Sequence, residues 1–150
     1  MTRSFIFSRQ GKLLDQGSDA GMVAKALQNQ DVFAWIDLEK PSAEEARLVL
    51  EDTFHFHPLS IEDSIQASPS PKVEEYKAGE QDKFSSYLFM VIHAVDYNRN
   101  DQNFATSELN FFLGNNFLVT YHDVPLRSIA STEEAAIKGT MPLQIGRAHV

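Results

Sequence analysis

One stretch constrains the fold of this chain more than any other: residues 84–97, reading FSSYLFMVIHAVDY. Written as an extended strand, it puts Leu88, Met90 and Ile92 on one face. Tyr87, Phe89, Val91 and Val95 fall on the other, with His93 beside them. Side chains alternate across a strand, so apolar residues on both faces predict a central strand covered on both sides. The covering layers must come from elsewhere in the chain, and its helix signals supply them.

The clearest such signal follows a second strand, 32–38, reading VFAWIDL and ending at Glu39-Lys40-Pro41. Ser42 can cap the free amides of a helix, and Glu45, three residues on, can complete a capping box. Ala46, Val49, Leu50 and Phe54 mark its buried side to about Thr53. A shorter helix is expected over 21–28, with Asp19 near its start, and another over 60–66, with Leu59, Ile61 and Ile65 as its apolar side. Short strands are expected at 4–8, 13–14 and 72–76, with a returning pair at 108–113 and 117–121 around Gly114-Asn115-Asn116, a turn favoured by residues that tolerate positive φ. Pro69 and Pro71 make 67–71 a stiff loop, and 77–83 and 98–103 read as polar turns. A further helix begins near Leu126 and is interrupted by Gly139 and Pro142. Together these elements predict an α/β fold, a three-layer α/β/α sandwich around a mixed β-sheet. The expected division is a domain over residues 1–125 and the start of a truncated helical linker over 126–150, with a non-native tail from 141 as an alternative to a native one.

Composition removes whole classes of function. Asp and Glu number 21 against 13 Lys and Arg, a formal charge of -8, and no basic run exists to replace the counterions of nucleic acid or to approach an anionic bilayer. The chain has no cysteine, which excludes disulfides, thiolate nucleophiles and Cys-based zinc sites. No dinucleotide glycine spacing, phosphate loop or GxSxG elbow is present, and nothing pairs Asp37 and Glu108 as acid and base, so no enzyme is expected. No apolar run approaches the ~20 residues of a membrane helix.

Two groups of residues have the chemistry of metal ligands. His55 and His57 form an HxH pair, which binds zinc where a third ligand joins it; otherwise His57 bonds backbone beside Pro58 and His55 points to solvent. His93 reads as a partly buried hydrogen-bonding residue and His122 as a strand-end residue. Glu62 and Asp63 are adjacent carboxylates on the helix at 60–66, pointing roughly 100° apart, so they do not chelate one ion together. Each can give oxygen to a hard cation such as Mg2+ that keeps several waters, or to a site completed by another surface.

The order of several fragments resembles the N-terminal domain of the CorA family of magnesium and related divalent-cation transporters. Those fragments are Trp35-Ile36-Asp37-Leu38, Pro41-Ser42 with Glu44-Glu45, His57-Pro58-Leu59 with Ile61-Glu62-Asp63, and Pro71-Lys72-Val73-Glu74-Glu75-Tyr76. Tyr87 to Val91, Glu108 to Leu113 and Asn116 to Thr120 continue the match, which runs from about 32 to 123. Two departures stand out: Ser70 where the family commonly has Arg or Lys, and extra polar residues over 78–83.

The resemblance implies a regulatory domain on the cytoplasmic face of the inner membrane in a homopentameric channel. The long helix and two membrane helices, with a Gly-Met-Asn motif between them, would lie beyond this stretch. It implies identical subunits and divalent cations as partners, and membrane contact only through those C-terminal segments. Asp63 is then the first candidate ligand and Glu62 the second, binding Mg2+ between subunits, with Zn2+, Co2+ or Ni2+ as other cargoes. The alternatives are the equivalent domain of a zinc-transporting relative and a stand-alone soluble binding module.

Overall fold

The computed structural model describes residues 1–29, 31–67, 70–78, 86–98 and 103–139, without the side chains of 94, 96–98 and 103–105. In chain order the elements are β1 (Thr2–Ser8), β2 (Leu13–Gly17), α1 (Ala20–Ala26), β3 (Val32–Glu39) and α2 (Ala43–Ala46), which continues as wider π turns over Arg47–Thr53. Then come α3 (Pro58–Ile65), β4 (Lys72–Tyr76), β5 (Tyr87–Asn98), β6 (Asn103–Gly114), β7 (Phe117–His122) and α4 (Arg127–Lys138).

The strands form one sheet in the order β2-β1-β3-β7-β6-β5-β4. Two antiparallel blocks, each continuous in sequence, meet where β3 pairs with β7 in parallel, and this makes the sheet mixed. Strand alternation divides the core. Ile6, Ala34, Ile36, Leu38, Phe89, Val91, Phe112, Phe117 and Val119 face α1, α2 and its π continuation. Phe5, Phe7, Trp35 and Leu109 face the other way, onto Leu126, Ile129 and Ala136 of the α4 segment. The expected layering of helix, mixed sheet and helix is the observed one.

Local chemistry explains several element boundaries. Ser42 Oγ accepts the Glu45 amide at 3.1 Å and Glu45 Oε1 accepts the Ser42 amide at 3.2 Å, the expected capping box. The helix then widens into π turns, where the Thr53 hydroxyl donates to the Leu48 carbonyl five residues back at 2.7 Å. Asp19 caps α1 through the Gly21 amide at 2.8 Å. Gly139 ends α4 in the left-handed region, at φ 70.

The structure corrects four expectations. β6 is longer than predicted, starting at Asn103. The β6–β7 turn does not use positive φ at Asn115 or Asn116; Gly114 is needed for space, because an added Cβ would lie 2.2 Å from the Phe117 ring. β5 is covered on one face only: Tyr87, Phe89 and Val91 are buried, whereas Leu88 and Ile92 are substantially exposed, and β5 sits one strand from the sheet edge. In α3 the buried residues are Ser60 and Ser64, while Leu59 and Ile65 are 58% and 56% exposed. Tyr87 is the physical reason for that reversal: its hydroxyl accepts the His57 amide at 2.8 Å and bonds Ser60 Oγ at 2.7 Å, so a small polar side chain must face it. The expected readings at Pro69, Pro142 and the tail from 141 lie outside the described residues.

Candidate functional site

Glu62 and Asp63 lie on the outer turns of α3, a helix begun by Pro58 and capped by His57 Nδ1, which accepts the Leu59 amide at 3.1 Å. The chain turns back after the helix and brings β4 alongside it. Lys72 of β4 then donates its ammonium to Asp63 Oδ2 and lies 3.3 Å from Glu74 Oε1. The Tyr76 hydroxyl donates to Glu74 Oε2 at 2.7 Å. Hydrogen bonding to Asp63 pulls the Lys72 ammonium above its ordinary pKa despite some burial, with Glu74 adding to it. Burial and the neighbouring Glu74 push the Tyr76 phenol up.

Glu62 does not join this group: it is exposed and its nearest partner is Gln66 Nε2, at 3.5 Å. The structure therefore does not bring Asp63 and Glu62 together on one ion. Among the described residues no three His, Asp or Glu side chains converge as a metal centre. His57 has spent Nδ1 on the helix start, and His55 stands exposed at φ 52.

A second polar group lies inside the molecule, where the two blocks of the sheet join. The parallel register sets Asp37 opposite Thr120 and Glu39 opposite His122. Asp37 Oδ1 accepts from the Thr120 hydroxyl at 2.7 Å and from His122 Nε2 at 2.8 Å. His122 Nδ1 faces the Val124 carbonyl at 2.6 Å, so both ring nitrogens meet acceptors and the ring is held as imidazolium. The Trp35 indole donates to Thr120 Oγ1 at 3.0 Å, which extends the chain of bonds to the aromatic core.

Asp37 and His122 are both 0% exposed. Burial alone would raise the Asp37 pKa, but the hydrogen bonds from His122 and Thr120 bring it below the ordinary value. Burial alone would lower His122, and the bond to Asp37 raises it instead. Arg3 of β1 reaches Glu133 of α4 at 2.7 Å and Glu39 at 3.1 Å, and lies 3.7 Å from Asp37 Oδ2.

Comparison with known proteins identifies the family. The model for the CorA-like Mg2+ transporter protein family matches residues 30–147. This chain belongs to that family. The CorA-like chain is 35% identical over 116 residues to the putative metal ion transporter YfjQ of Bacillus subtilis (strain 168), which covers 77% of this chain and 32% of YfjQ. It thus spans about a third of that relative.

Among solved structures, the full-length CmaX protein superposes with a TM-score of 0.70 at 12% identity, over 93% of this chain and 40% of CmaX. The soluble domain of CorA from Methanocaldococcus jannaschii gives 0.61 at 17% identity, over 93% of this chain and 47% of that one. The ZntB cytoplasmic domain from Vibrio parahaemolyticus RIMD 2210633 gives 0.57 at 15% identity, over 74% and 42%. At these identities the structural likeness concerns the fold. The family description is that of a transporter and not of an enzyme.

Sequence reasoning located α3 and the two carboxylates on it but missed the buried group of this CorA-like domain. One signal was present: Asp37 interrupts an otherwise apolar strand, and a charge in such a place is buried only if it is paired. Its partners His122 and Thr120 come from a strand more than eighty residues away, and only the β3–β7 register connects them.

Proposed function

We propose that this chain is the cytoplasmic regulatory domain of a divalent-cation transporter, with Mg2+ as the leading cargo, and that Asp63, helped by Glu62, contributes to an ion site completed by a neighbouring copy of the same protein. The observation that carries the reading is the family match across residues 30–147. The placement of the carboxylates supports it: Glu62 is exposed, and the Asp63 side chain is 36% exposed. Carboxylates at a joint between subunits repel until a cation bridges them, so ion binding and packing are coupled there. For Zn2+, His57 offers no Nδ1, which is committed to the start of α3.

Two experiments test the proposal. Reading the coding sequence past Val150 is expected to show a long helix and two apolar spans; a stop codon directly after Val150 would overturn the transporter reading. Calorimetry of the chain alone is expected to show weak Mg2+ binding, because one face of the site comes from another subunit and Lys72 already sits on Asp63. Tight stoichiometric binding that persists in the double variant Glu62→Ala/Asp63→Ala would overturn the site.

A further inference from the structure

α4 is the one helix described on its side of the sheet, and it carries an acid into the interface. Glu133 is 7% exposed and turned toward the sheet. Its Oε2 accepts from Arg3 at 2.7 Å, and its Oε1 is buried with no other hydrogen-bond partner. Across from it, Asp37 Oδ1 is taken by Thr120 and His122, and Asp37 Oδ2 is likewise buried without a conventional donor. Ionised carboxylates only accept, so two such oxygens cannot satisfy each other unless one holds a proton.

We propose that Glu133 and Asp37 form a buried proton-binding site that fastens α4 to the sheet, the proton being covalently on Glu133 and donated to Asp37. Burial first, and then the neighbouring Asp37 carboxylate as an acceptor for its proton, lift Glu133 to about 7, whereas the bonds from His122 and Thr120 outweigh burial and lower Asp37; the proton therefore belongs to Glu133.

The charges facing Glu133 agree. β1 supplies Arg3 and β3 supplies Asp37 and Glu39, while His122 of β7 stands behind them, bonded to Asp37 Oδ1. β2 lines the same corner with Gln16 and Gly17, neither of them charged. With Glu133 protonated, the two cations Arg3 and His122 balance the two carboxylates Asp37 and Glu39. Loss of the proton leaves one buried negative charge in excess, and the two facing oxygens repel.

The sign follows from linkage. Glu133 has a higher pKa docked than free, so its contribution to docking is complete below about 4.5 and is lost as pH rises through about 7. One proton is released on undocking across that window, so the docking constant falls by up to about tenfold per pH unit. His122 is also raised and changes stability in the same direction, so wild-type behaviour alone does not separate the two.

Nuclear magnetic resonance on the full chain with 13C-labelled Glu carboxyls tests the site directly, and the variant Glu133→Gln separates it from His122. Gln keeps a hydrogen-bond donor at the position and cannot titrate. The expected results are a Glu133 midpoint between about pH 6 and 8 and, from about pH 5 to 7.5, a loss of α4 amide protection relative to β3 amides in the same sample. Trp35, bonded to Asp37 through Thr120, is expected to show the Glu133 midpoint in its indole resonance. In Glu133→Gln, α4 protection is expected to stay constant from about pH 5 to 6.5, leaving above that only the smaller decline that His122 contributes. A Glu133 midpoint below about pH 5.5, or a Glu133→Gln profile that follows the wild type, would overturn the proposal.

Discussion

At the residue scale, the Asp37–His122 pair shows how two charges can sit at 0% exposure: Asp37 Oδ1 takes directed bonds from Thr120 and His122, and the ring is clamped by a carboxylate on one side and a carbonyl on the other. Removing one partner strands the other. His122→Ala is therefore expected to cost on the order of 3–5 kcal/mol in chemical denaturation, because Asp37 remains buried without its countercharge. Trp35→Phe keeps most of the ring and loses the indole donor to Thr120, and about 1 kcal/mol is expected in the same assay. Lys72→Met is the surface counterpart. It removes the ammonium from Asp63, and Mg2+ affinity measured by calorimetry is expected to rise about two- to fivefold, the worth of a partly exposed ion pair.

At the scale of elements, the chain reads well where one face is buried by hydrocarbon and poorly where a polar partner decides. The capping box at Ser42 and Glu45 and the buried set Ala46, Val49, Leu50 and Phe54 were legible because both signals are local. α3 was not: its apolar residues Leu59 and Ile65 turn outward, since the Tyr87 hydroxyl, from a strand far along the chain, selects Ser60. Ser60→Ala removes that bond from a buried phenol and is expected to lower stability by about 1–2 kcal/mol, measurable as a shift in the denaturation midpoint. The candidate site divides in the same way. Asp63 could be placed on α3 from sequence, but Lys72 could not be placed against it without knowing how β4 folds back. Gly114 is a second case, because its role depends on where the Phe117 ring lies; Gly114→Ala must displace that ring and is expected to cost about 1–3 kcal/mol.

At the scale of the whole molecule, the fold is two antiparallel blocks held at one parallel seam, and the buried ion pair spans it. Acid and alkali should therefore both loosen the joint. The Asp37 contribution is present above its ordinary value of 3.8 and is lost as pH falls through its lower folded pKa. The His122 contribution is present below 6.5 and is lost as pH rises through its higher folded pKa. Thermal unfolding followed by circular dichroism is expected to show its highest midpoint near the acid end of this window, since Glu133 loses its contribution as pH rises from about 4.5 through about 7, and His122→Gln is expected to lessen the decline above 6.5. The seam also bears on the order of assembly. Each block can form by pairing neighbours in the chain, whereas Asp37 and Thr120 meet only after a long loop has closed, the slow kind of encounter. Substitutions at the seam are thus expected to retard refolding as well as quicken unfolding, because the slow encounter sets the barrier in both directions.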